Sequence, residues 1–126
     1  MKTIITKDAP AAIGAYSQGV WVENTLYVSG QIPFIPETMT LISQDISDQT
    51  KQSLDNVYAI VKAAGLQKED IVKCTIYMTN LGDFQIMNQV YGAFFGEHKP
   101  ARAAVEVRRL PRDVQIEIDA IAIKST

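Results

Sequence analysis

Three polar side chains stand where the surrounding pattern calls for something else, and each could do chemistry. In KPARAAVEV (residues 99–107), Arg102 heads a short apolar stretch that reads as a strand. An arginine there must pair with a carboxylate, face water, or hold a ligand. Its planar fork suits a bidentate grip on a carboxylate or phosphate better than a lysine ammonium would. In VQIEIDAIAI (residues 114–123), Glu117 lies between Gln115 and Asp119, opposite a face made of Val114, Ile116, Ile118, Ala120 and Ala122. It is either an ordinary solvated carboxylate or, if a neighbouring surface covers it, one whose pKa rises by desolvation until it can trade protons near neutrality. Asn88 falls one turn after Phe84 and beside Met87 and Tyr91. There it either bonds the backbone or points an amide into a cleft. The glycines of AYSQG and VSGQIP would let a ligand approach the backbone, and turn chemistry explains them equally well.

Other chemistries find little support. His98 is the only histidine, and no Cys, His, Asp or Glu spacing resembles a metal site, so no metal or cofactor is expected. The single cysteine, Cys74, shares a side with Val72 and Ile76 and reads as core. There is no phosphate-binding loop, dinucleotide fingerprint or nucleophile elbow. Arg108, Arg109 and Arg112 cluster in a turn and read as solvated surface. The formal charge of −2 argues against nucleic-acid binding by bulk charge. No apolar run approaches the ~20 residues of a spanning helix, and the N-terminus has no signal-peptide pattern. One domain over residues 1–126, soluble and cytoplasmic, is the expectation; 47% of its residues are apolar, enough for a core without disulfides.

The elements that must position these groups follow from periodicity. GVWVENTLYVSGQI reads as two strands around a turn at Glu23–Thr25, and PFIPETMTLIS, with two prolines, as a loop. Leu54, Val57, Val61 and Ala64 form a helical stripe, with Ser47 the candidate N-cap and Gly65 the stop. VKCTIYMT alternates, with Val72, Cys74, Ile76 and Met78 on one side. Phe84, Met87, Tyr91 and Phe94 mark a second helix. AAVEV and VQIEIDAIAI are two more strands joined by the turn RRLPRD, and KTIIT reads as a further short one. The order β-β-α-β-α-β-β predicts an α+β fold, with two helices on one face of a mixed sheet. The other face carries Tyr77, Ile121 and Ile123, and its apolar character points to oligomerisation.

Seven blocks in order, APAAIGAYSQGV, YVSGQIP, QSLDNVYAIVKAAGL, DIVKCTIYMTNLGDF, VYGAFF, PARAAVEVRRLP and IEIDAIA, resemble the RidA (YjgF) family of enamine/imine deaminases over Ala9 to Ala122. The resemblance implies a chorismate-mutase-like fold with a six-stranded sheet. It implies a homotrimer built around a central barrel, with the sites in clefts between subunits. It implies hydrolysis of 2-iminopropanoate and 2-iminobutanoate to 2-oxo acids and ammonia. Carried over by position, Arg102 is the carboxylate clamp and Glu117 the group that handles water. Tyr16, Ser29, Gly30 and Asn88 line the cleft, and Ala104 occupies a further pocket position. Two residues depart from the family pattern: Ala15, where many members have proline, and Ala104, where many have Cys, Ser or Thr. A thiol-dependent role is thereby put in doubt, whereas deamination needs no covalent step. Two other readings share these residues. One is a ribonuclease or translation inhibitor, which would need a basic groove. The other is a non-enzymatic sensor of 2-oxo acids, which would tolerate Glu117→Gln.

Overall fold

Period-two alternation builds the sheet, and the longest alternating runs stand at its centre. The computed structural model describes residues 1–125. The chain runs β1 (Lys2–Ile4), β2 (Gly19–Val22), β3 (Thr25–Gln31), β4 (Phe34–Ile35), β5 (Thr40–Leu41), α1 (Ile46–Ala63), β6 (Ile71–Met78), α2 (Phe84–Phe95), β7 (Ala101–Glu106) and β8 (Ile116–Ile123). Six strands form one sheet in the order β1-β2-β3-β8-β6-β7. The β6–β7 pair, joined through α2, is parallel, and the other pairs are antiparallel. This is the mixed six-stranded α+β sheet expected. The proline-rich segment read as a loop instead forms the small separate hairpin β4–β5. Phe34 anchors it by burial with Leu110 and Val114 in a second, smaller cluster.

The helices cover one sheet face. Leu54, Val57, Ile60 and Val61 of α1 and Met87, Tyr91 and Phe95 of α2 share the main core with Cys74, Ile76, Ile116 and Ile118. Burial of such side chains contributes about 1.5–3 kcal/mol each. Four local expectations shift. Helix α1 begins two residues earlier than Ser47 would allow: Asp45 is the N-cap, its carboxylate accepting from the Asp48 amide at 3.0 Å. Val72 turns outward, because Ile71 pairs with Ala122 and Lys73 with Ile121, a bulge that buries Ile71 instead. Val114 precedes β8 and is buried in the smaller cluster. In α2 it is Phe95 that is buried, while Phe94 packs edge-on to Tyr58, with the Lys68 ammonium 4.0 Å above its ring.

The opposite face of the sheet has no helix. Glu117, Asp119 and Ile121 of β8 alternate with the buried Ile116, Ile118 and Ala120. Tyr27, Val22 and Val105 stay 42–49% exposed, so an apolar surface is left open. Among the described residues, no helix is long and apolar enough to cross a membrane.

Candidate active site

The Glu117 side is shaped by an irregularity in β3. Val28 pairs with Ala120 and Gln31 with Ile118, so β3 spends one extra residue at Ser29–Gly30. Such bulges bend a strand and re-aim its side chains. Here the bend lays the Gly30 backbone against the Glu117 side chain. A Cβ on residue 30 would collide with Glu117 Oε2 and lie 2.8 Å from its Cδ. Only glycine lets the carboxylate sit there. Ser29 pins the neighbouring loop: its amide donates to the Gln18 carbonyl at 3.0 Å and its Oγ to the Ser17 carbonyl at 2.6 Å. The buried Gln18 amide donates in turn to the Thr6 and Pro10 carbonyls. That loop carries Tyr16, 53% exposed. Tyr16, Ser29, Gly30 and Glu117 together line a cleft of about 610 Å³. Partial burial pushes the Glu117 pKa up, and the charge of Asp119 adds to the shift. A carboxylate so placed is better matched to proton transfer near neutrality.

Arg102 occupies a different cleft, of about 450 Å³, with Asn88, Tyr91 and His98. Its Nη1 donates to Asn88 Oδ1 at 2.7 Å, and its guanidinium lies over the Tyr91 and Phe84 rings. The Asn88 side chain thus neither caps α2 nor bonds the backbone. Among the described residues, the ion pairs are Lys51–Asp55 and Arg109–Asp113. Arg102 therefore has no carboxylate partner among the described residues. Ala104, two residues along on the same strand face, packs against the main core and lines neither cleft.

Strand register decides how the two clefts relate. Cys74 of β6 pairs with Arg102 and with Ala120, and Tyr77 pairs with Glu117. Arg102 and Glu117 are thus two strands and three residues apart, roughly 14 Å between Cα atoms. Cys74 points into the helix-covered core and Tyr77 to the open face, so Arg102 and Glu117 project to opposite sides of the sheet. One chain cannot close both on a small molecule.

Other contributors had weak signals or none in the sequence. Arg112, expected in solvent with Arg108 and Arg109, lines the Glu117 cleft, with its guanidinium 5.1 Å from the Phe34 ring centre. Left-handed backbone at Arg112 and Asp113 turns it there (φ 59° and 57°). Asn56, buried in α1, donates to the Ile32 and Phe34 carbonyls and so holds that cleft's far wall. Neither motif nor spacing marks it. Phe84 and Tyr91 were visible as a helical stripe, but only their packing shows the guanidinium between them. Cys74 is core as read, and burial pushes its thiol up to about 11.

Known proteins share this architecture. The sequence model of the family described as Endoribonuclease L-PSP matches residues 6–124. The 2-iminobutanoate/2-iminopropanoate deaminase of Escherichia coli is 55% identical over 126 residues, covering 98% of each chain. The 1.2 Å crystal structure of the YjgF gene product from E. coli aligns with a TM-score of 0.96 at 54% identity, over 99% of this chain and 100% of that one. E. coli TdcF with bound serine aligns with a TM-score of 0.95 at 49% identity, over 99% and 100%. With its sequence matched almost end to end and its backbone superposing on a solved relative over 99% of its length, the chain belongs to the RidA/YjgF (endoribonuclease L-PSP) family.

Proposed function

We propose that this protein hydrolyses small 2-imino acids, 2-iminopropanoate and 2-iminobutanoate, to 2-oxo acids and ammonia. The observation that carries the reading is an arginine with no carboxylate partner among the described residues, in a chain 55% identical to the E. coli deaminase over 98% of its length. Arg102 takes the substrate carboxylate through charge-assisted hydrogen bonds and so fixes the imine carbon. Glu117 accepts a proton from water as the water oxygen bonds to that carbon, and passes it to the imine nitrogen to give the carbinolamine. It then relays the hydroxyl proton to the nitrogen as the C–N bond breaks, so that ammonia leaves as the carbonyl forms. Tyr16, Ser29 and Gly30 shape the cleft around Glu117, and Asn88 steadies Arg102. The bound serine in TdcF carries a carboxylate of the kind Arg102 would hold. A nuclease activity, as the family description words it, would call for a basic surface, and the net charge is −2.

Because Arg102 and Glu117 face opposite ways, the working site is built from two chains, and a trimer would supply three such sites around its ring. The open apolar sheet face is the surface that assembly would bury. Subunit complementation tests activity and assembly together. Threonine dehydratase generates the imine, and 2-oxobutanoate release is timed. Arg102→Ala and Glu117→Gln are each expected to be inactive alone. Unfolded together in equal amounts and refolded, they regain about a quarter of the wild-type rate, because about one site in four draws both wild-type residues. No recovery in mixed oligomers would place both residues in one chain's site and refute the shared geometry.

A further inference from the structure

Of the groups packed around Arg102, this chemistry gives a role only to Asn88. The guanidinium carbon lies 4.9 Å from the Tyr91 ring centre and 5.4 Å from that of Phe84. Its Nη1 is anchored by Asn88 Oδ1 at 2.7 Å. Phe84, Asn88 and Tyr91 fall at i, i+4 and i+7 of α2, so one helix face presents all three. Each of these partners is neutral. Stacking and an amide bond orient a guanidinium while leaving its full charge for a ligand. The wall is itself rigid: Tyr91 is 7% exposed and packs against Phe95, ring centres 4.8 Å apart. The Tyr91 hydroxyl is buried against the Cys74 thiol and has no other hydrogen-bond partner, so toward Arg102 the ring face is what this position supplies.

Resting on the deaminase reading, we infer that Phe84, Asn88 and Tyr91 are positioning residues whose neutrality is the point: they hold Arg102 in one plane without compensating its charge, and its remaining N–H groups then meet the substrate carboxylate. An aspartate at 88 would accept the same bond and stabilise the same orientation. Its charge, however, would satisfy the guanidinium, and a substrate carboxylate would have to displace it. A merely structural Asn88 would tolerate that change.

Binding and turnover are measured separately, by calorimetric titration with 2-oxobutanoate and by kcat and KM for 2-iminobutanoate, alongside thermal unfolding. Asn88→Asp is expected to unfold no lower than wild type, yet to weaken 2-oxobutanoate binding about ten- to a hundredfold, with the loss appearing mainly in KM. Tyr91→Phe keeps the ring and stays within about twofold of wild type, whereas Tyr91→Leu loses about tenfold in kcat/KM. Phe84→Leu, at a partly exposed position, serves if Tyr91→Leu does not fold. Asn88→Asp binding 2-oxobutanoate as tightly as wild type overturns the inference, as does Tyr91→Phe being as damaging as Tyr91→Leu. Wild type failing to bind 2-oxobutanoate overturns it together with the clamp. Wild type binding but not deaminating removes the enzymatic reading alone, and Asn88→Asp losing binding still supports the neutral cradle.

Discussion

Replacing Gly30 with alanine tests whether the β3 bulge exists to seat Glu117. The added Cβ would lie 2.8 Å from Glu117 Cδ and 3.1 Å from its Cγ, and closer still to Oε2. Carbon atoms in ordinary contact stand about 3.5–4.0 Å apart, so the carboxyl group must retreat by about an ångström. The fold should survive. Glu117 is only half-buried and can swing toward the open face, and the loss of glycine's freedom in the unfolded chain offsets roughly 0.4–1 kcal/mol. The melting temperature should stay within about 4 °C of wild type. The rate should not survive, because an ångström of misplacement costs about a hundredfold, or ~2.7 kcal/mol of barrier. The coupled dehydratase assay reads the rate directly. The decisive comparison is the double variant with Glu117→Gln. If Gly30 acts only by seating Glu117, the double variant should be no slower than Glu117→Gln alone. Multiplied losses, or a Gly30→Ala enzyme at full speed, would refute the argument from contact distances.

Two further outcomes follow from the same geometry. Arg102→Lys should lose about a hundredfold or more in kcat/KM with an unchanged melting temperature, because a point charge cannot stack between Phe84 and Tyr91 or hold a carboxylate in one plane; near-full activity would show the fork to be irrelevant. Burial and Asp119 raise the Glu117 pKa in the folded protein, so folding favours its protonated form: that contribution is complete below the unfolded pKa and is lost as pH rises through the folded one. Glu117→Gln, which mimics the protonated state, should therefore unfold at a higher temperature than wild type at pH 8, with the gap closing toward pH 4; a gap that widens on acidification would reverse the assigned shift.

Several features of this protein are local and were legible from residues alone. Ile116, Ile118, Ala120 and Ala122 face the core because side chains alternate at every step of a strand, whatever the strand pairs with. The same rule put Glu117 on the other face and Cys74, Ile76 and Met78 inside. Where the chain inserts a residue, the rule fails, as at Val72 and at Ser29–Gly30. A bulge is defined by the partner strand's count, and that partner lies far away in sequence. Asp45 overtook Ser47 as the cap because either side chain can accept the bond, and backbone conformation chose between them. That Arg102 and Glu117 point apart depends on two registers across β6, one parallel and one antiparallel, which no local pattern encodes. The sequence alone thus determined which side chains are apolar, which are charged, and how each strand alternates. Tertiary structure decided which neutral groups surround Arg102 and which backbone makes room for Glu117, because those contacts join segments that only folding brings together.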